Sequence, residues 1–244
     1  MADHTGRLLE ICVDSAEGLA AAIEGGADRI ELCSALGVGG LMPSYGLMQH
    51  AKRTSPIPVY PLIRPRAGNF IYDEADVAIM EADIAQAREL GLPGVVIGAT
   101  TKDGRLDRQV VERLIEAASG LDISLHRAFD MVRDPIEALE TAIDLGISRI
   151  LTSGCAKNVS LGMEMLKRLS HQADGRISIM PGGGVTADLV PELLVATGIH
   201  EIHASGSASS KEDHSLVEFG FAPEQRRQTS PQVIRALKTI VLEV

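Results

Sequence analysis

The chain has 244 residues, 45% apolar and 23% charged, the make-up of a soluble globular protein long enough for one large domain or two small ones. A formal net charge of −10 gives an acidic surface that repels phosphate backbones, which argues against nucleic-acid partners. No apolar run approaches the ~20 residues of a membrane span, MADHTGRLLE lacks the basic and apolar regions of a secretory signal, and three cysteines (Cys12, Cys33, Cys155) form no disulfide framework, which fits a reducing, cytoplasmic location.

Along the chain the apolar period switches repeatedly between two and about 3.6. It predicts strand 8–13, helix 15–25, strand 28–33, helix 44–53, strand 58–63 and helix 74–90. Strand 94–98, helix 107–118, strand 121–126 and helix 134–145 follow. The last part reads strand 149–153, helix 159–172, strand 177–181, helix 186–197, strand 199–204 and helix 231–243. Asp134–Pro135 and Ser230–Pro231 each place a capping oxygen before a proline at the first helical position.

Every second strand is entered through one short pattern: GADRI (26–30), GLPGV (91–95), GISRI (146–150) and GIHEI (198–202). A glycine there ends a helix in the left-handed conformation and the next apolar residue covers the end, so a two-strand unit is used four times. Strict alternation of strand and helix implies a parallel sheet with right-handed crossovers. Eight units in one chain of this length predict an α/β protein of a single domain, a TIM-type (β/α)8 barrel spanning 1–244. Only 205–230 breaks the rhythm. It is far longer than the ~2–6 residues usual between strand and helix, and a lid, an oligomer contact and disorder are all open readings of it.

In a barrel one face of each strand meets the helices and the other fills the centre. Leu9, Ile11 and Val13 suit the helix layer, which turns Glu10, Cys12 and Asp14 inward. The same parity turns in Glu31 and Cys33, Ser124 and His126, and Glu201 and His203, with Asp130 just past the fifth strand and Arg64 and Arg66 at the rim. Stability alone favours Val, Ile and Leu at these places, so buried carboxylates imply a site and a compensating cation, for which Arg64 is the candidate. Cys12, Cys33 and His203 fall near the ends of adjacent strands, and thiolates with imidazole suit a soft ion such as Cu(I). Buried cysteines as mere space-fillers are the plainer alternative. The loops after the seventh and eighth strands, with Gly182, Gly183 and Gly184, then Ser205 and Gly206, stand where barrels hold phosphate. No inward lysine supports a Schiff base, and Ser153 lacks a nucleophile-elbow context.

EICVDS, GGADRIELCS, GG-x-x-PS, IRPRAGNF, HRAFDM, LTSG and PGGGV, in this order, resemble the CutC family of copper homeostasis proteins, from about residue 8 to about 206. The resemblance implies a TIM-type barrel, a cytoplasmic location and a homodimer or higher homo-oligomer. It also implies Cu(I) binding by the cysteines that correspond to Cys12 and Cys33, and no organic cofactor. Here Cys12 is followed by Val13, so a member with adjacent cysteines at this place has one ligand more.

Two functions stand side by side. One is copper binding through Cys12, Cys33 and His203. The other is an enzyme acting on a small anionic or phosphorylated metabolite. In it Glu10, Glu31, His126 and Asp130 provide acid–base groups, Arg64 and Arg66 a clamp, and the 182–184 and 205–206 loops a phosphate seat. A scaffold that binds partners through 205–230 comes third.

Overall fold

The computed structural model describes residues 6–243; residues 1–5, part of the stretch weighed as a signal, lie outside it. Alternation of strand and helix runs as the sequence predicts. Strand β1 (Leu8–Val13) leads to helix α1 (Ala16–Gly25), β2 (Arg29–Leu32) to α2 (Tyr45–Thr54), β3 (Val59–Pro61) to α3 (Glu74–Glu89), and β4 (Gly94–Ile97) to α4 (Arg108–Ala117). Next come β5 (Asp122–Leu125) with α5 (Pro135–Asp144), β6 (Arg149–Thr152) with α6 (Val159–Ala173), β7 (Ser178–Pro181) with α7 (Val190–Thr197), and β8 (Glu201–Ala204).

Local chemistry accounts for these starts and stops. Ser15, Ser44, Asp73, Asp107, Asp134 and Asn158 each stand before a helix and accept a bond from an otherwise orphaned N–H of its first turn. The four strand-entry glycines, Gly26, Gly91, Gly146 and Gly198, all take positive φ, as a helix-ending turn requires.

Parallel ladders order the strands β3-β2-β1-β8 and β4-β5-β6-β7. A parallel bridge at Leu62 and Val96, with Ile63 N–H donating to Val96 O at 2.8 Å, joins the two arcs. At the β7/β8 seam, Gly182 leaves room for His203, whose Cβ lies 3.2 Å from where a Gly182 Cβ would stand. This is the TIM-type (β/α)8 fold. Leu9, Ile11 and Val13 face the helices and are fully buried among them, so the predicted parity holds.

Most boundaries fall within two residues of the prediction, and two segments differ by more. Helix α7 begins at Val190 rather than at 186, behind a turn in which Thr186 O accepts from Leu189 and Val190 N–H. Pro191 sits at its start and, lacking an N–H, suits the first turn only. The 205–230 segment is not structureless. It forms an antiparallel hairpin of β9 (Ser207–Lys211) and β10 (Gln225–Thr229), with the short helix α8 (His214–Glu218) between, before the closing helix α9 (Pro231–Glu243). Its strands carry Ser, Arg and Gln on both faces, so no period-two apolar signal marks them.

Backbone comes close between the loop after β6 and α6, where a Cβ on Gly162 would overlap the Ser153 carbonyl. Gly162→Ala therefore forces backbone apart and should cost about 2–4 kcal/mol in urea unfolding. Gly37→Ala, with open space around it, should stay within about 0.5 kcal/mol of the parent.

Candidate functional site

The site is built in two storeys inside the barrel. In the lower one, the fourth residue of each entry pattern points inward: Arg29 on β2, Gly94 on β4, Arg149 on β6 and Glu201 on β8. Four side chains from alternate strands make one layer of such a barrel. Arg29 donates Nε–H to Glu10 and Nη2–H to Glu201 at 2.5 Å. Arg149 pairs with Asp122 at 2.7 Å and Glu201 at 3.1 Å and donates to Ser124 Oγ at 2.9 Å. Gly94 has no side chain, and Tyr60 fills its place: a Cβ there would lie 2.7 Å from Tyr60 Cζ. The Tyr60 ring lies beneath both guanidiniums at 5.4 and 5.6 Å, and its hydroxyl donates to Asp122 at 2.6 Å.

The cation that pairs with the buried carboxylates is thus Arg29, seconded by Arg149, and not Arg64. Arg64 donates to the carbonyls of Val38, Gly40 and Gly68 instead. Both pairing arginines are readable in hindsight: Arg29 shares parity with Glu31, and Arg149 holds the same slot in GISRI as Arg29 in GADRI. Each abuts a helix-ending turn, where a charge ordinarily reads as solvated.

In the upper storey β1 supplies Glu10 and Cys12, β2 supplies Glu31 with Cys33 just beyond its end, and β8 supplies His203, all of them buried. His203 Nδ1 lies 2.8 Å from Glu10 Oε1, and its Nε2 lies 3.7 Å from Glu31 Oε2. Cys33 Sγ approaches Glu31 Oε2 at 3.7 Å, and Cys12 Sγ approaches Ala204 O at 3.8 Å. One ligand atom each from Cys12, Glu31 and His203 falls within 4.8 Å of the others, a spacing that can hold a metal ion. Of the three residues expected to hold a soft ion, Cys12 and His203 share this point with Glu31, while Cys33 stands beside it against Glu31. Glu31, placed among the acid–base groups by its sequence position, stands between them.

Burial alone would raise the Glu10 carboxyl, but Arg29 and His203 outweigh it and hold it at about 2, against the ordinary 4.5. Burial, with Glu10 adding like charge, raises Glu31. Burial, then Glu31 and Cys12, pushes the Cys33 thiol up. For His203 burial works downward, but Cys12, Glu10 and Glu31 around it prevail and raise it well above the ordinary 6.5.

The remaining predicted residues lie around this centre. His126 is buried, accepts Ala128 N–H on Nδ1 at 3.1 Å, and is held down to about 3 by burial and by Arg64. Asp130 accepts from Thr152, Ser153, Cys155 and Arg127, which clamps the loop after β6. Arg66 is paired with Asp76 at 2.8 Å and bonded to Ile71 O, so it does not stand with Arg64 as a matched clamp. Gly183 lies against the Arg127 guanidinium and Gly184 against Asn158. Ser205 bonds Ser207, and Gly206 packs on Ile234 of the outer helix layer. Residues 185–189 separate these glycines from the start of α7.

Comparison with known proteins bears on this arrangement. The CutC family model matches residues 7–208. The chain belongs to the CutC family. It is 53% identical over 231 residues to a family protein CutC of Rhizobium meliloti (strain 1021), covering 94% of each chain. It is 46% identical over 204 residues to the copper homeostasis protein cutC homolog of Homo sapiens, covering 84% of this chain and 75% of that one. Among solved structures, the copper homeostasis protein CutC from Streptococcus agalactiae superposes with a TM-score of 0.78 at 34% identity, over 82% of this chain and 98% of that one. Among the described residues no helix is long and apolar enough to cross a membrane.

Glu10 gives the site a measurable acid limb. Its pKa is lower folded than unfolded, so its contribution is present above the ordinary 4.5 and is lost as pH falls toward 2. The gap corresponds to a contribution on the order of 3 kcal/mol. Urea unfolding of the parent and Glu10→Gln should differ by that order at neutral pH, and the difference should shrink steadily below about pH 4.5.

Proposed function

We propose that this CutC-family chain binds Cu(I) at the barrel mouth through Cys12, Cys33 and His203. The observation that carries the reading is the convergence of the Cys12 thiol, the His203 imidazole and Glu31 on one buried point. The donor chemistry fits: thiolate and imidazole are soft enough for Cu(I), whereas a carboxylate is not. Glu31 therefore serves the site better as a proton acceptor than as a ligand, since Cys33 already directs its S–H at Glu31 Oε2. With its pKa raised, Glu31 can hold that proton when the thiolate turns to the ion.

Glu10 has the complementary task. Bonded to His203 Nδ1, it fixes the ring so that Nε2 is turned toward Glu31 and the point shared with Cys12, the carboxylate–histidine arrangement common behind metal ligands. Arg29 holds Glu10 ionised for this role. A bound copper ion would supply charge to replace the proton that His203 otherwise carries between two carboxylates.

Anaerobic titration with Cu(I) against a competing chelator tests the reading. Cys12→Ser with Cys33→Ser should weaken binding by more than the roughly 10–100-fold expected for Glu10→Gln, an outer-sphere change. Affinity should climb with pH through neutrality, because the ion displaces protons from His203 and the thiols. Parental affinity in the double cysteine variant would end the proposal.

A further inference from the structure

A second group of buried donors lies in the loop after β3 and just past the end of β5, and the copper reading gives it no task. Three side-chain atoms there, Arg64 Nε, His126 Nε2 and Tyr72 Oη, are buried without a hydrogen-bond partner. Such an atom is costly if nothing pairs with it, and folded proteins seldom leave several together. Because His126 Nδ1 accepts the Ala128 N–H, the ring's proton sits on Nε2. All three orphans are then hydrogen-bond donors.

They belong to one locality. The Arg64 guanidinium stacks over Phe70 at 4.8 Å, and Phe70 packs on the His126 ring at 5.1 Å. Arg64 also acts electrostatically on both His126 and Tyr72. Its two terminal nitrogens are fixed by the Val38, Gly40 and Gly68 carbonyls, which leaves Nε–H as the free edge of an immobilised cation. Arg64 is 5% exposed and His126 4%, and among the described residues Arg64 makes no ion pair with a carboxylate. Surplus positive charge and donors without acceptors call for one kind of occupant.

We propose that Arg64 Nε, His126 Nε2 and Tyr72 Oη form a subsite for a small oxyanion, a carboxylate or phosphate group, admitted beneath the exposed 67–69 loop. The subsite goes beyond the copper reading and stands without it. Gly40 lies between the two, with its carbonyl on Arg64 and Cys33 Sγ 3.3 Å from where its Cβ would stand.

The test uses metal-free full-length protein, so its outcome is separate from that of the copper titration. The His126 ring nitrogens are followed by NMR while inorganic phosphate, and in a parallel arm acetate, is added. A saturable shift of the Nε2–H signal in either arm is expected, and the arm that saturates first names the anion class. Tyr72→Phe, which removes one hydroxyl and keeps the ring, should weaken that binding about fivefold; Arg64→Gln should abolish it. Should Arg64→Gln fail to fold, the Tyr72→Phe comparison decides. The proposal is overturned if neither anion gives saturation, if Tyr72→Phe binds as tightly as the parent, or if the ring's proton is found on Nδ1.

Discussion

The Arg29–Glu10 ion pair is the constraint on which the interior depends. Arg29 touches residues of three other strands: Glu10 on β1, Met180 on β7 and Glu201 on β8. It therefore fastens the seam between β7 and β8, where ladder bonds give way to side-chain contacts, while it fixes the carboxylate that orients His203. Removing one partner of such a pair typically costs 3–5 kcal/mol, because the other charge is left buried and alone. Structure and site cannot be altered separately at this point.

Such an interior adds little to stability in itself, since the cost of taking charges out of water can exceed the attraction between them. The outer interface supplies what the centre does not. Leu9, Ile11, Val13, Ile30 and Leu32 are fully buried against apolar residues of the helices, among them Leu19, Met48 and Met80. Burial of each such side chain stabilises by about 1.5–3 kcal/mol. The barrel is thus held from its rim of helices and left free to keep a polar axis.

This division explains what could be read from the sequence. The outward faces announce themselves, because a strand packed on helices must present apolar residues at every second place; hence β1 and α9 fall where the periodicity puts them. The inward residues follow by parity, which brought Glu10, Cys12, Glu31, Cys33 and His203 to one centre. Partner choice was not legible. Arg64 and Arg29 are equally plausible cations from spacing alone, and only the register that sets Glu10 against Arg29 decides between them. Nor does sequence show that Glu31 stands next to both Cys33 and His203, since the second contact crosses from β2 to β8. Tyr72 lies in a loop with no period at all, and its place beside Arg64 is purely tertiary.

The entry pattern repeated before every second strand carries one more consequence. Its fifth residue, Ile30, Val95, Ile150 or Ile202, is always β-branched and buried against the helices. Its fourth is Arg29, Gly94, Arg149 or Glu201. Apolar bulk can be copied round a ring without penalty, because each copy meets its own helix. Charge cannot: four guanidiniums facing one axis would repel, and four carboxylates would do the same. Electroneutrality at the axis forbids perfect rotational symmetry, so a barrel with an ionic centre must be lopsided there however regular its outside.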